Sequence, residues 1–204
     1  MRIVLFNGPP GSGKDAAAKA CVNKGYQHPN LFEGHSPSVC KFAAPLKKAT
    51  MSLFDMGIEE QYKIENQGFK NNPQAEFLGH VPRHVLINMS EQFVKPYLGD
   101  DFFGKMAVKH MKEITKACET LPRDPLFLVS DCGFMSEVQP VIDFAGKSNI
   151  LLIKIERNGC DFMGDSRSYL NDGAFQNIIY MENDGSLEMF EERVVQEVAG
   201  WLAL

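Results

Sequence analysis

Short apolar runs alternate with longer amphipathic segments along most of the chain. Continuous apolar runs at 2–7, 126–129 and 149–155 predict buried strands, because a strand covered on both faces lacks a polar alternation. Weaker strand patterns lie at 38–42 and 178–180. Strands that alternate with helices predict an α/β fold, in which helices cover both faces of a parallel sheet.

Apolar residues at helical spacing predict a helix in most of the intervals between these strands. Pro45 and Pro82 each stand where a helix is expected to begin, since proline is favoured in a first turn. The segment 57–80 is rich in Asn, Gly and Pro, and a loop or flap is expected there. The polar segment 157–176 is expected to be irregular. Helices are predicted at 14–24, 45–56, 82–93, 100–119, 135–146 and 186–201.

Composition narrows the class of protein. The chain has 204 residues, enough for one domain, and its net charge of −5 argues against an electrostatic grip on nucleic acid. Its five cysteines are odd in number and form no C-x-x-C pair, which favours reduced thiols in the cytoplasm. No run approaches the roughly 18 apolar residues of a membrane span. We therefore expect a cytoplasmic protein that binds neither nucleic acid nor membrane.

A glycine-rich turn joins the first predicted strand to an alanine-rich helix. Gly8, Gly11 and Gly13 allow the backbone to wrap around an anion, with Ser12 inside the turn and N–H groups pointing inward. The helix N-terminus adds a partial positive charge of about half a unit. Lys14 can reach the β- and γ-phosphates of a nucleotide. Strand, turn and helix in this order predict a phosphate-binding loop rather than a connection that binds nothing.

Two carboxylates are candidates for a magnesium ion. Asp15 stands where Ser or Thr usually offers a hydroxyl to Mg²⁺, and a carboxylate can reach the hydrated ion directly or through water. Asp131 follows the strand 126–129, at the end of a parallel sheet where ligands bind. It is expected to hold the same ion or to accept a hydrogen bond from a substrate. Its alternative role is to cap a helix or turn.

Arginines in the irregular segment are candidates for the chemical step. Arg157 and Arg167 follow the strand 149–155. The guanidinium group matches phosphate oxygens in pairs, so arginines on a lid can stabilise charge on a transferred phosphoryl group. The alternative is that both are solvated loop residues.

Two further segments are candidates for an acceptor. Phe42 and Lys47 follow the second predicted strand, where an aromatic ring and a lysine could meet a nucleotide. Arg83 opens a helix, and Lys95 follows twelve residues later, so both are expected to face one cleft. On the residues alone, an ordinary strand-to-helix junction and exposed helix cations remain the alternatives.

Taken together, these segments resemble the bacteriophage deoxynucleoside monophosphate kinases, in five pieces and in order. The pieces are Gly8–Asp15 (G-x-x-x-S-G-K-D), Phe42–Lys47 (F-A-x-P-[LI]-K), Pro82-Arg83 with Asp101 and Phe103 downstream (the middle helical insertion), Asp131–Glu137 (D-x-R-x-x-x-E) and Asn183–Leu187 (N-D-G-S-L). The first and last pieces are specific as a pair, whereas the middle ones are weak singly.

The resemblance implies a P-loop NTPase fold of the nucleoside monophosphate kinase type. It implies a single kinase domain with a helical substrate-binding insertion at about 45–120 and a lid at about 157–176. The implied reaction transfers the γ-phosphoryl group of ATP, with Mg²⁺, to a deoxynucleoside monophosphate. The protein would be a monomer or a homodimer. The implied site residues are Lys14, Asp131, Arg157 and Arg167 for catalysis, Asn183 with the loop for ATP, and Phe42, Lys47, Arg83 and Glu137 for the acceptor.

Two departures from the pattern leave alternatives open. Gly133 stands where the pattern has arginine in D-x-R, which removes an expected phosphate or substrate contact. The middle helix has Ser-Glu-Gln at 90–92, where relatives tend to have Gly-Thr-Glu. Animal phosphomevalonate kinases resemble the same S-G-K-D loop and are the alternative enzyme class. A nucleotide-binding protein that has lost catalysis is the alternative outside enzymes.

Overall fold

A parallel β-sheet forms the centre of the computed structural model, which describes residues 1–57 and 63–204. Within these residues the sheet has five strands in the order β2-β3-β1-β4-β5, and every pair of neighbours is parallel. Helices flank the sheet, so the predicted α/β class is confirmed. The strands are β1 (Arg2–Asn7), β2 (His35–Cys40), β3 (Asp124–Val129), β4 (Ile150–Glu156) and β5 (Asn177–Glu182).

Eight α-helices occur in the described part of the chain. A π-helical turn, Met89–Val94, joins the helix that ends at Asn88 directly to the helix that begins at Lys95. The helices are α1 (Lys14–Gln27), α2 (Ala44–Leu53), α3 (Gln67–Asn71), α4 (Pro82–Asn88), α5 (Lys95–Leu98), α6 (Phe102–Cys118), α7 (Met135–Ala145) and α8 (Leu187–Leu202).

The apolar runs of the sequence are the buried strands of the sheet. Residues 3–6 of β1, 126–129 of β3 and 150–155 of β4 are almost wholly buried, apart from the slightly exposed Lys154. Their registers align Leu5 with Val129 and with Leu152. The three strands therefore end at the same edge of the sheet, where the segments that follow them meet.

Helix α1 packs against α8 beside the sheet. The small residues Ala17, Ala18 and Cys21 of α1 share one buried cluster with Val194 and Val198 of α8. Small side chains let two helices approach closely, which explains why an alanine-rich sequence follows the glycine turn. This packing fixes the start of α1 relative to the sheet.

The chain divides into two compact units. Unit 1 contains residues 1–42 and 104–204, and unit 2 contains residues 43–103. Unit 1 holds the whole sheet. Unit 2 has its own interior around Phe77, whose ring lies 4.7 Å from that of Phe54 and 6.2 Å from that of Phe69.

Several predicted boundaries move, each for a local reason. β2 begins at His35 rather than at 38 and includes Pro37, which an edge strand tolerates because one side of it has no partner strand. The described part of 57–80 forms α3 and two short 3₁₀ turns instead of an open loop, and residues 58–62 lie outside the described residues. Segment 157–176 is irregular, as predicted, except for one 3₁₀ turn at Asp172–Ala174.

All five cysteines are free thiols. No helix in the described ranges is both long and apolar enough to cross a lipid bilayer.

Candidate functional site

The turn between β1 and α1 requires glycine at three positions. Gly11 and Gly13 have φ angles of 81° and 106°, in the left-handed region that side chains disfavour. A Cβ atom at Gly8 would lie 2.4 Å from the carbonyl oxygen of Ile155, and one at Gly13 would lie 2.5 Å from the amide nitrogen of Asn183. The backbone here follows a tight path that other residues would disturb.

The same turn leaves polar groups available for an anion. Gly13 is the N-cap of α1 and has no side chain to bond the first turn. The first N–H groups of a helix have no partner within the helix, and its dipole favours negative charge there. The hydroxyl of Ser12 is buried and has no hydrogen-bond partner among the described residues. An uncapped helix start beside an unsatisfied hydroxyl fits a phosphate group.

Lys14 points its charge into the turn. Its ammonium nitrogen donates to the carbonyl oxygens of Gly8 and Pro9, both at 2.6 Å. Only 8% of the residue is exposed. Burial lowers the pKa of this ammonium, and the nearby Arg167 guanidinium lowers it further. The charges of Asp15 and Asp165 shift this pKa in the opposite direction.

Asn183 holds the backbone of the turn through hydrogen bonds. Its side-chain amide donates to the carbonyl oxygen of Ser12 at 2.8 Å, and its own backbone N–H donates to Glu156 at the end of β4. The residue is buried. The structure therefore uses Asn183, predicted as a nucleotide contact, to hold the backbone of the loop.

Asp15 lies in a small polar group with residues from two other segments. Its carboxylate accepts a hydrogen bond from the hydroxyl of Ser130 at 2.7 Å, and the ammonium of Lys41 lies 3.2 Å away. Ser130 follows β3, Lys41 follows β2, and Asp15 lies on α1, which follows β1. The segments after three neighbouring strands therefore contribute one residue each. Sequence reasoning identified Asp15 but neither of its partners.

Asp131 lies at the same edge of the sheet. Its carboxylate accepts a hydrogen bond from the backbone N–H of Phe42 at 3.0 Å, so the structure brings these two predicted residues together. The Phe42 residue itself is 2% exposed. Asp131 thus fixes the chain where β2 ends, while the Phe42 ring packs in the interior.

Asp15 and Asp131 are the carboxylates that a magnesium ion could use. No group of three or more His, Cys, Asp or Glu side chains with metal-binding geometry occurs among the described residues. Mg²⁺ usually keeps several waters and is held by one or two carboxylates together with substrate phosphates. Two hard oxygen donors at this edge of the sheet fit such an ion, and they do not form a closed protein cage.

Arg157 contacts the loop directly. One of its terminal nitrogens donates to the carbonyl oxygen of Gly11 at 3.1 Å. The first part of the segment after β4 is held by Asn158, whose backbone and side-chain nitrogens both donate to the carboxylate of Asp184. Arg157 therefore lies at the glycine-rich turn, with its charge exposed.

Arg167 is held by a neighbouring carboxylate. Its Nε and Nη2 atoms lie 2.9 Å and 2.6 Å from the two oxygens of Asp165. This hydrogen-bonded pair raises the pKa of Arg167. Asn7, the last residue of β1, donates to the carbonyl of Ser168, so the residue after Arg167 lies close to where the glycine-rich turn begins.

Asn7 joins the irregular segment to the end of β1, and sequence reasoning missed it. Its amide nitrogen donates to the carbonyls of Cys132 and Ser168, at 3.2 Å and 3.1 Å. Its amide oxygen accepts from the backbone N–H of Leu170 at 2.8 Å. A polar residue at the end of an otherwise apolar strand was the one signal of this role.

The predicted acceptor cations Lys47 and Arg83 belong to unit 2. The ammonium of Lys47 lies 2.5 Å from the carboxylate of Glu65. The Nε atom of Arg83 donates to the side chain of Asn71 at 2.7 Å. Lys95, expected to face the same cleft as Arg83, pairs with Glu91 one helical turn earlier at 2.8 Å. All three cations have polar partners inside unit 2.

Glu137 lies in the first turn of α7 and is buried. The start of α6 approaches its backbone so closely that a Cβ atom at Gly104 would lie 2.0 Å from the Glu137 carbonyl oxygen. The structure thus places this predicted substrate residue inside unit 1, next to a close helix contact.

No protein-family model matches the chain, and no curated protein matches its sequence.

Proposed function

We propose that this protein is a P-loop NTPase of the kinase class that transfers the γ-phosphoryl group of ATP to a deoxynucleoside monophosphate. The observation that carries the proposal is the turn after β1. It combines glycines that exclude side chains, an uncapped start of α1, the unsatisfied Ser12 hydroxyl and the inward charge of Lys14. Each of these features favours a polyphosphate.

The loop binds and orients the donor in this proposal. Backbone N–H groups of Gly11 to Asp15 and the hydroxyl of Ser12 are assigned to the phosphate oxygens. Asn183 keeps the loop backbone in place through Ser12. Lys14 is assigned to the charge on the transferred group, because a compact ammonium inside the loop can follow it.

Asp15 and Asp131 are assigned to the magnesium ion of the ATP complex. When bound, Mg²⁺ neutralises phosphate charge and orients the phosphate oxygens. Lys41 already balances the charge of Asp15 in the structure, and Ser130 fixes the direction of its carboxylate. The side chains of Lys41 and Ser130 therefore orient the Asp15 carboxylate.

Arg157 and Arg167 are assigned to the chemical step. An oxygen of the acceptor phosphate attacks the γ-phosphorus, the bond to the β-phosphate oxygen breaks, and ADP leaves with that electron pair. Negative charge is redistributed over the phosphoryl oxygens during this step, and positioned guanidinium groups stabilise it. Arg157 at Gly11 and Arg167 in the region of Lys14 support these roles.

The acceptor is assigned to a helical insertion at about 45–120, and segment 157–176 is assigned as a lid. The support is the resemblance of 42–47 and 82–83 together with the cations Lys47 and Arg83. Phe42 and Glu137 complete the proposed acceptor set, with Phe42 acting through its backbone contact to Asp131. We further propose a monomer or homodimer in the cytoplasm, in host cytoplasm if the chain is phage-encoded.

An acceptor panel tests the proposal. ATP consumption would be measured with each nucleoside and deoxynucleoside monophosphate and with phosphomevalonate, in Mg²⁺ and in excess chelator. We expect stimulation by at least one deoxynucleoside monophosphate, and none in chelator. Stimulation by phosphomevalonate alone would support the other enzyme class.

The matched control is Lys14→Ala protein purified in the same way, which detects a contaminating kinase. If ATP binds in calorimetry but no acceptor stimulates turnover, the kinase assignment is wrong and a nucleotide-binding protein takes its place. If ATP does not bind, the phosphate-loop assignment is wrong as well.

A further inference from the structure

The side chain of Arg167 crosses the backbone of Gly133. A Cβ atom at Gly133 would lie 2.6, 2.7 and 2.8 Å from the Cβ, Cγ and Cδ atoms of Arg167. These atoms form the base of the side chain, so they cannot swing away as a flexible tip could. The φ angle of Gly133 is not in the left-handed region. Glycine is therefore needed here for close approach and not for backbone conformation.

Asp165 fixes the other end of the same side chain. Both carboxylate oxygens accept hydrogen bonds from the guanidinium, and one also accepts from the backbone N–H of Arg167 at 3.0 Å. The Asp165 and Arg167 side chains are only 13% and 25% exposed. A guanidinium has five N–H donors, and this pair uses the edge formed by Nε and Nη2. Among the described residues no partner bonds Nη1, so the edge that carries it can meet another planar or tetrahedral anion.

The backbone after Arg167 is also tied to the sheet. The N–H of Ser168 donates to the carbonyl oxygen of Gly133 at 3.2 Å, and the carbonyl of Ser168 accepts from Asn7. Gly133 thus meets both the stem of Arg167 and the peptide that follows it, whereas Asp165 holds the guanidinium. A solvated loop arginine would need none of these contacts.

We propose that Gly133 and Asp165 are positioning residues that hold Arg167 beside Lys14 with its Nη1 edge directed to a phosphoryl group. Gly133 does so by leaving a path for the arginine stem, and Asp165 by fixing the orientation of the guanidinium plane. The catalytic part of this inference rests on the proposed kinase function. The positioning part rests on the geometry of unit 1 alone.

A double-mutant cycle tests the catalytic part. Asp165→Asn keeps the size of the side chain and should lower kcat by about tenfold or more, because a small misplacement of a catalytic group is costly. The KM for ATP should change by less than about twofold. In an Arg167→Ala background the same substitution should change kcat by less than about twofold. If the two effects multiply instead, Asp165 does not act through Arg167 and this part is wrong.

Gly133→Ala should behave in the same way. It should lower kcat in the wild-type background and add little in the Arg167→Ala background. Asp161→Asn and Gly173→Ala are matched controls in the same segment and should leave kcat unchanged. A Cβ atom at Gly173 would meet only the Asn171 side chain, at an ordinary 3.5 Å. If Gly133→Ala behaves like Gly173→Ala, the proposed path for the stem is wrong.

Arginine side-chain NMR tests the positioning part without any turnover. The Arg167 Nε–H signal, identified by its loss in Arg167→Lys, should exchange slowly with water in the wild-type protein. Exchange should become about tenfold faster or more in Asp165→Asn and Gly133→Ala, and stay unchanged in the two controls. Equal exchange in all variants would overturn the proposal. If the wild-type protein shows no kinase activity, the proposed function fails and this measurement alone decides the positioning.

Discussion

At the scale of single residues, Lys14 links the fold of the loop to the proposed chemistry. Its ammonium donates to the carbonyl oxygens of Gly8 and Pro9 in the turn. The same charge that would meet a phosphate therefore also helps to hold these two carbonyls together. Burial lowers the pKa of this ammonium, and nearby Arg167 lowers it further, while Asp15 and Asp165 act in the opposite direction. A bound anion would stabilise the charged form by direct attraction.

We expect Lys14→Ala to reduce phosphoryl transfer by about 10²–10³-fold, because one transition-state cation is worth about 2–4 kcal/mol. The free energy of unfolding should fall by no more than about 3 kcal/mol, since two carbonyls lose a charged donor. Steady-state kinetics and urea denaturation measure the two effects. Lys19→Ala, an exposed lysine of the same helix, is the control and should alter neither. Near-wild-type turnover in Lys14→Ala would contradict the assignment of the loop.

Arg83→Ala should raise the KM for the acceptor by roughly tenfold or more, with the KM for ATP little changed. A charge-assisted hydrogen-bond pair is worth about 1.5–3 kcal/mol, which sets this magnitude. The comparison uses initial rates with each substrate varied in turn. Lys48→Ala removes an exposed cation of the same unit and should change neither KM. An unchanged acceptor KM in Arg83→Ala would return Arg83 to a structural role with Asn71.

At the scale of elements, the irregular segment after β4 is anchored at several points. Asn158 binds Asp184 at its start, Asn7 binds its middle, and Lys154 of β4 forms an ion pair with Asp172 near its end. The rings of Tyr169 and Tyr180 also lie 5.6 and 5.7 Å from the Lys154 ammonium. These contacts explain how a segment with little secondary structure keeps Arg157 and Arg167 in defined places.

Replacing an arginine of this segment should act on the chemical step more than on binding. Arg157→Ala and Arg167→Ala should each lower kcat by a larger factor than they raise the KM for ATP, because they are assigned to charge that develops during transfer. Arg193→Ala, an exposed arginine on α8, is the control. A raised KM with kcat preserved would reassign the residue to ground-state binding or to the surface.

The sequence predicted those parts of this edge that local patterns determine. Glycine spacing after an apolar run identified the loop, and Asp131 was found because it directly follows a strand. Asn7 and Lys41 were missed because their partners are distant in sequence, such as Leu170 for Asn7 and Asp15 for Lys41. No local period or spacing contains such contacts, since they arise only when parallel strands end at one edge.

The role of Gly133 also depends on a residue distant in sequence, Arg167, and so could not be predicted from local patterns. An arginine, which the kinase pattern has at this position, would be excluded if the turn needed a left-handed backbone. The backbone does not need it, yet the stem of Arg167 occupies the space where a side chain would begin. Any side chain introduced at Gly133, including arginine, must therefore displace the side chain of Arg167.

At the scale of the whole molecule, the fold around the parallel sheet brings the candidate site residues to one edge, and it also buries three thiols. Cys21 on α1, Cys40 at the end of β2 and Cys132 after β3 are all buried. Burial raises the pKa of Cys21 and of Cys40 to about 12, and it raises that of Cys132 as well. Nearby Asp131 adds to the shift at Cys40 and at Cys132. The fold therefore keeps these thiols protonated where an unfolded chain would lose the protons.

This burial predicts how stability depends on pH. The ordinary thiol value is 9.0, and folding raises the pKa of Cys21 above it, so its contribution is full below pH 9 and is lost as the pH rises towards about 12. Each such thiol should lower the free energy of unfolding by about 1.4 kcal/mol per pH unit in that window. Urea denaturation between about pH 9 and about pH 11 would measure the slope, which should be shallower by about 1.4 kcal/mol per pH unit in Cys21→Ala. Cys118→Ala removes a partly exposed thiol on α6 and serves as the control for losing a cysteine. Equal slopes in the wild type and in Cys21→Ala would show that the Cys21 thiol loses its proton as readily in the folded protein as in the unfolded chain.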